Sequence, residues 1–217
     1  MSLTLYSHPF SSYCQKALMA LWENDIPFTY RHMEDAGAAE ERAALWPLGR
    51  FPVLVDDGRT VLESSIIIEH LDLHHRGAVR FLPDDPAAAL EVRFMDRFFD
   101  NYVMSAMQQP VSEALRAEGS RMDIALAEAR TALDTAYAWL DARLEGRAWA
   151  AGEVFSMADC AAAPSLFYAD WVHQIGAAFP RVRAYRTKLL ARPSFARAVE
   201  EARPYRAYFP LGAPDRD

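Results

Sequence analysis

Apolar and polar positions alternate through Leu3-Thr4-Leu5-Tyr6, which predicts a short strand. The period then changes. Cys14, Ala17, Leu18 and Leu21 recur at i, i+3, i+4 and i+7, the spacing of one buried helix face, and predict a helix from near Ser12 to about Asn24. Residues 28–33 are rich in aromatic and branched side chains and read as a second strand, and the Ala/Glu/Arg-rich residues 38–46 as a helix. Two short apolar runs, 52–55 and 60–62, flank Asp56-Asp57-Gly58, a hairpin signal, and residues 65–75 then read as a helix. The order is β-α-β-α-β-β-α.

The pattern changes after Gly77. Phe81-Leu82-Pro83-Asp84-Asp85-Pro86 reads as a linker, with Pro86 suited to open a helix. From Ala87 onward helical periodicity dominates, over 87–118, 121–145, 157–171, 181–191 and 194–202, with Pro110 expected to bend or interrupt the first segment. Ser156 and Asp159 have capping-box spacing, with Phe155 and Cys160 placed to form a hydrophobic staple. The expected organisation is an α/β domain at 1–78, a linker at 79–86 and an all-α domain at 87–217.

Composition narrows the function classes. Hydrophobic residues make up 52% of the 217, enough for a real core, and the net charge is −7. Basic residues alternate with acids and form no stripe interleaved with aromatics, so a nucleic-acid partner is not expected. No apolar run approaches the roughly 20 residues of a membrane span. The first residues lack a secretory pattern, which leads to an expectation of a cytoplasmic protein. The two cysteines, Cys14 and Cys160, are expected as separate thiols. His70, His74 and His75 cluster near one helix end, and His70 and His74 share a face. The sequence identifies no converging further ligand, so no metal is expected.

Chemistry concentrates in three stretches. Ser11-Ser12-Tyr13-Cys14 lies where a strand passes to a helix, with Ser12 expected as the N-cap. Arg50-Phe51-Pro52 opens a strand with a residue that cannot donate to the ladder, a place for either a cis bond or a trans proline on an edge strand. Glu63-Ser64 immediately precedes a helix.

The element order, the proline opening the third strand, the helical second half and the motifs GRFPVLVDDG (49–58) and LESSIIIEHLD (62–72) resemble the cytosolic glutathione transferases over nearly the full chain. The resemblance implies a thioredoxin-like domain followed by a helical bundle, glutathione as co-substrate, no metal, and a homodimer. It implies that Phe51, Pro52 and Val53 hold the cysteinyl part of glutathione. Glu63 and Ser64 hold its γ-glutamyl end, and Arg50 is within reach of the peptide. Ser11 matches the serine that donates to the glutathione sulfur in serine-type classes such as tau and zeta. Tyr13 departs from zeta, which has a cysteine there, and Tyr6 sits where other classes keep a tyrosine. Cys14 occupies the second place of a Cys-x-x-Cys whose first cysteine is Ser11, so dithiol chemistry is not expected. An apolar electrophile is expected against Tyr102, Met104, Met107, Tyr168 and Trp171, an aromatic and methionine lining suited to adaptable binding. Conjugation is the expected activity. A glutathione-dependent isomerase, dehalogenase or peroxidase, or a non-catalytic interaction protein on the same fold, are its alternatives. The segment 87–105, with Phe94, Phe98 and Phe99, is the expected dimer surface.

Overall fold

The computed structural model describes residues 2–116 and 121–217. Four strands, β1 (Leu3–Ser7), β2 (Thr29–His32), β3 (Val53–Asp56) and β4 (Arg59–Leu62), form one sheet in the order β2-β1-β3-β4. β1 runs parallel to β2, while β3 is antiparallel to β1 and β4. A parallel pair requires a crossover, which α1 (Ser12–Glu23) supplies. The β3–β4 hairpin turns on Asp57 and Gly58, both at positive φ (44° and 86°), as a two-residue turn demands. Helices α2 (Ala38–Leu45) and α3 (Ser64–His74) complete this half, and the expected β-α-β-α-β-β-α order is the observed one.

The predicted face of α1 is buried, but so are Gln15, Lys16, Met19 and Ala20. The run Ala17-Leu18-Met19-Ala20-Leu21 is apolar all round, which suits a helix with neighbours on every side. Those neighbours are α3, α7 (Met157–Val172) and α9 (Pro193–Ala202). Cys14 and Cys160 are free thiols, both buried.

The second half is helical. α4 (Pro86–Phe98) opens on Pro86, with the Asp85 carboxylate accepting the Ala88 N–H at 2.8 Å. The expected disruption at Pro110 is not where the helix changes. Pro110 lies inside α5 (Ser105–Ala114), and the irregularity is a π-helical turn at Phe99–Met104. There the Ser105 hydroxyl donates to the Asp100 carbonyl at 2.9 Å, and Phe99, Val103 and Met104 enter the core. The last two residues of the predicted 87–118 segment lie outside the described residues. α6 (Met122–Arg143), α7, α8 (Pro180–Leu190), α9 and a 3-10 turn (Arg203–Tyr208) follow. One continuous core joins Leu5, Leu54 and Ile67 of the sheet half to Tyr137, Phe167 and Phe195 of the helical half. Among the described residues no helix is long and apolar enough to cross a membrane.

The capping box at the start of α7 forms as expected and extends further. Asp159 is fully buried. Its carboxyl accepts from the backbone of Ala150 (2.9 Å) and Ser156 (2.8 Å), from the Ser156 hydroxyl (3.1 Å) and from the Tyr185 hydroxyl (2.5 Å). Burial pushes this carboxyl above the usual range, against the pull of those four donors. Asp159→Ala leaves the donors unpaired, each costing about 1–3 kcal/mol. The variant should lose at least about 3 kcal/mol of stability in urea unfolding, and a loss under about 1 kcal/mol would show that the node is not structural.

Candidate functional site

A cavity of about 820 Å³ opens where the two halves meet. One wall comes from three segments of the α/β half: the β1–α1 loop, the residues leading into β3, and the first turn of α3. The opposite wall comes from α4, α5 and α7, and the chain after α9 closes one side.

Ser11 lines the cavity as the N-cap of α1, at φ −85° and ψ 120°. Ser12, expected in that role, is the first helical residue and lines the cavity beside it. The reason is backbone geometry: Ser11 has extended angles and its carbonyl already accepts the Gln15 N–H at 2.9 Å. The Ser11 hydroxyl accepts the Cys14 N–H at 3.4 Å, which uses an oxygen lone pair and leaves its hydrogen to donate into the cavity. Burial raises the Tyr13 phenol to about 12, helped by Asp100, so it remains a protonated donor at neutral pH. Cys14 is buried, its thiol pushed up by burial, and accepts the His8 N–H at 3.4 Å. Tyr6 is absent from the lining and donates to Glu41 at 3.1 Å.

Arg50, Phe51 and Pro52 line the next part of the same wall, and the Phe51–Pro52 bond is cis. The Arg42 guanidinium steadies this loop, donating to the Gly49 carbonyl and lying 5.8 Å from the Phe51 ring centre. Val53 is fully buried in β3 and does not line the cavity. Glu63 and Ser64 do, Glu63 exposed and Ser64 buried. Glu63 is held at φ 69°, a conformation that costs a non-glycine residue about 1–3 kcal/mol and that persists at places such as ligand sites. Its carbonyl accepts the Ile67 N–H at 2.8 Å, which starts α3.

Behind this turn lies a buried ionic cluster that sequence reading missed. The Lys16 ammonium, on a side chain 1% exposed, lies 2.6 Å from Asp96 and 2.9 Å from Asp100. It also donates to the Ser65 hydroxyl at 2.8 Å, which donates to Asp96 at 2.8 Å. Arg97 bridges the same two carboxylates at 2.8 Å each and lines the cavity with Asp100. Burial raises the Asp96 carboxyl, but Lys16, with Arg97 and Ser65, offsets it and the net shift is downward. For Asp100 burial prevails and the shift is upward. A lysine between apolar helical residues carries no sequence sign of its partners, which lie 80 and 84 positions away.

Of the five expected electrophile contacts, Met107 and Tyr168 line the cavity. Met104 is 1% exposed in the core, and Tyr102 is 61% exposed on a different hollow. Trp171 packs edge-on to Phe209 at 5.2 Å, one layer back from the cavity. Residues two apart on a helix, such as Tyr102 and Met104, face nearly opposite ways, and spacing alone does not say which way is inward. Phe10, Val111 and Phe209 supply apolar lining that sequence reading missed. Phe10 is fixed through its carbonyl, which accepts from the Tyr168 hydroxyl at 3.0 Å, while Gln15 donates to that hydroxyl at 3.1 Å.

Tyr208, Phe209 and Pro210 bring the C-terminal chain over the cavity. Tyr208 donates to Glu34 at 3.0 Å, and Tyr205 meets His32 Nε2 at 3.1 Å. His8 lies edge-on to Tyr205 at 4.7 Å, takes the Phe10 N–H on Nδ1 at 3.1 Å and faces Glu34 with Nε2 at 3.3 Å. Burial pulls the His8 pKa below its usual value, partly offset by Glu34.

Models of the glutathione S-transferase N-terminal and C-terminal domains match residues 5–78 and 123–188. The chain is 29% identical to FtsZ-localized protein A of Caulobacter vibrioides over 202 residues, 88% of each chain. It is 32% identical to a glutathione S-transferase-like protein, LUC7, of a Fusarium species over 164 residues, 72% of each chain. Among solved structures, a glutathione S-transferase from Methylobacillus flagellatus with glutathione bound superposes with a TM-score of 0.80 at 26% identity, covering 91% of this chain and 98% of that one.

Removing the lysine from the cluster leaves two buried carboxylates short of a cation, which costs about 3–5 kcal/mol for a broken buried pair. Lys16→Ala should lower the urea unfolding free energy by that order. A loss below about 1 kcal/mol would mean that Arg97 and solvent suffice to hold Asp96 and Asp100.

Proposed function

The chain belongs to the glutathione S-transferase family, and from that premise we propose that it is a glutathione transferase whose Ser11 activates the glutathione sulfur as thiolate. The observation that carries this reading is the convergence of the Ser11 hydroxyl, the Phe51–Pro52 segment and Glu63-Ser64 on one wall of one cavity. The cavity lies within the roughly 300–1,000 Å³ of small-molecule sites. In this reading the Phe51 backbone pairs with the cysteinyl unit. Ser64 and the first N–H groups of α3 take the γ-glutamyl carboxylate, a helix start being suited to an anion. Glu63 takes the neighbouring ammonium, and exposed Arg50 takes the glycine carboxylate. Val53 acts only from behind, by fixing Pro52.

The energetics are sufficient. A free thiol titrates near 8.5, and bringing it to about 6.5 takes roughly 2.7 kcal/mol of preference for the thiolate. A hydrogen bond to a charged group supplies about 1.5–3 kcal/mol, and a helix N-terminus about 0.3–1 kcal/mol more. Ser11 caps α1, so both act on the same atom. The thiolate then attacks an apolar electrophile against Phe10, Met107, Val111 and Tyr168.

A second reading, an interaction protein on this fold, is favoured by the match to FtsZ-localized protein A across 88% of both chains. The two readings separate on one variant. Ser11→Ala should lower conjugation by up to about 25-fold at pH 7, the fall in thiolate fraction when the thiol returns from about 6.5 toward 8.5, and raise the pKa of bound glutathione read by thiolate absorbance. Ser12→Ala should change neither. Wild-type protein that is retained on immobilised glutathione but turns over no electrophile in a class-by-class screen would support the second reading. A pKa rise in Ser12→Ala alone would move the role to Ser12.

We also propose a homodimer. Phe94 (44% exposed), Tyr102 (61%) and Trp139 (39%) line one apolar hollow between α4 and α6, a patch of the kind that associates. Phe98 and Phe99, expected on this surface, are buried, Phe98 against the Trp139 ring at 4.5 Å. Light scattering at micromolar concentration should give twice the mass of one chain, falling to a single chain in Phe94→Glu. A wild-type monomer would overturn this assignment.

A further inference from the structure

The histidines at the end of α3 acquire the converging ligand that the sequence did not identify. Asp56, the last residue of β3, presents its carboxylate Oδ2 to His70 Nε2 at 2.8 Å and to His75 Nε2 at 2.7 Å. One donor atom from each of the three lies within 4.8 Å of the others. The placement follows from local structure. The two-residue turn at Asp57-Gly58 fixes the hairpin tip, and so fixes Asp56. His70 is 7% exposed on the inward side of α3. His75 leaves the helix at its C-cap, φ −130° and ψ 49°, while its N–H still bonds the Leu71 carbonyl at 2.8 Å. That bend returns the His75 ring to the carboxylate His70 already holds.

We propose that Asp56, His70 and His75 bind one divalent transition-metal ion of the zinc class, at the end of the α/β half away from the cavity. Two imidazoles and one carboxylate suit zinc, cobalt or nickel, and not magnesium or calcium, which take oxygen ligands throughout. A tetrahedral zinc ion with bonds of about 2.0–2.2 Å sets its ligand atoms roughly 3.3–3.4 Å apart. The two N···O distances therefore open by about half an ångström, which side-chain rotation supplies. Each imidazole turns the lone pair at Nε2 to the metal and carries its proton on Nδ1. The side chains of Asp56 and His75 are each 13% exposed, which leaves the fourth position open to water.

The role is structural. β3 begins just after Pro52 and α3 begins at Ser64, both at the cavity, whereas Asp56 ends β3, His75 caps the far end of α3 and His70 lies in the second half of that helix. His70 follows Ser64 by six residues, about 9 Å of helix at about 1.5 Å each, and Asp56 follows Pro52 by four, about 13 Å of strand, so the ion does not touch a ligand in the cavity. A bound ion instead ties the hairpin to the helix.

The test uses full-length tag-free protein, stripped with a chelator and titrated with cobalt chloride. One equivalent should bind with the visible absorption of a tetrahedral site, zinc should displace it, and the thermal midpoint should rise on loading. His75→Gln and Asp56→Asn should each abolish the absorption and the thermal rise. His75 is at a helix end, so this variant folds even where Asp56→Asn does not. His32→Gln, which alters the separate His8, His32 and Glu34 group, should retain both signals. Absence of saturable cobalt binding in the wild type, persistence of the absorption in His75→Gln, or its loss in His32→Gln would each overturn the assignment and leave Asp56 as a hydrogen-bonded clamp.

Discussion

The ammonium of Lys16 is a fully buried charge that both halves of this protein share. It sits on the first helix of the α/β half and is neutralised by Asp96 and Asp100 from the helical half, with Ser65 of α3 between them. In so buried a place a lone charge would be pushed toward neutrality, and the cluster keeps it paired. The pairing fixes three things together: the rotation of α1, the position of the first turn of α3, and the seating of α4 with its π-helical turn. All three elements contribute to the cavity. The Ser11 hydroxyl and the Glu63-Ser64 turn are held relative to each other by the bond between Lys16, five residues after Ser11, and Ser65, next to Ser64.

The rest of the cavity divides by chemistry. The α/β wall is polar, with a hydroxyl at a helix start, an exposed carboxylate at Glu63 and an exposed guanidinium at Arg50. The helical wall adds an apolar patch, Met107, Val111 and Tyr168 with Phe10 from the β1–α1 loop, beside the charged Arg97 and Asp100. In the proposed function these two surfaces take the charged peptide and the apolar second molecule. The C-terminal chain adds Phe209 to the apolar part and is moored to the α/β half by Tyr205 on His32 and Tyr208 on Glu34. The Tyr208 mooring is an exposed polar contact and the Tyr205 one is half-buried, each a single hydrogen bond.

The full-length likeness to FtsZ-localized protein A and the likeness to a glutathione-bound transferase structure bear on different properties. The fold serves both. What distinguishes a transferase is local: a hydroxyl on the glutathione sulfur and an open apolar wall beside it. Both features are decided by a few side chains, which is why overall similarity does not choose between the readings.

Much was legible in the sequence because it rests on local physics. Alternation gave β1, the 3.6-residue period gave α1 and the later helices, and Asp57-Gly58 gave the hairpin, since backbone preference and one-sided burial act over a few residues. The ordered motifs around Pro52 and Glu63-Ser64 located the polar wall, because each is a short contiguous stretch with its own backbone geometry. Where sequence reading went astray, the deciding contact was distant. Ser11 rather than Ser12 caps α1, a one-residue choice set by how β1 delivers the chain. The helix after α4 yields at Phe99–Met104 and not at Pro110, where packing of Phe99 and Met104 in the core outweighs a single lost backbone bond. Tyr102, Met104 and Trp171 fall outside the cavity because the direction each faces depends on which neighbouring helix covers it. Asp56 meets His70 and His75, and Lys16 meets Asp96 and Asp100, only once the chain has closed. The sequence by itself determined the elements and the short motifs they carry. Tertiary structure alone decided which side chains from separate elements share a volume, because burial and charge pairing depend on neighbours tens of residues away.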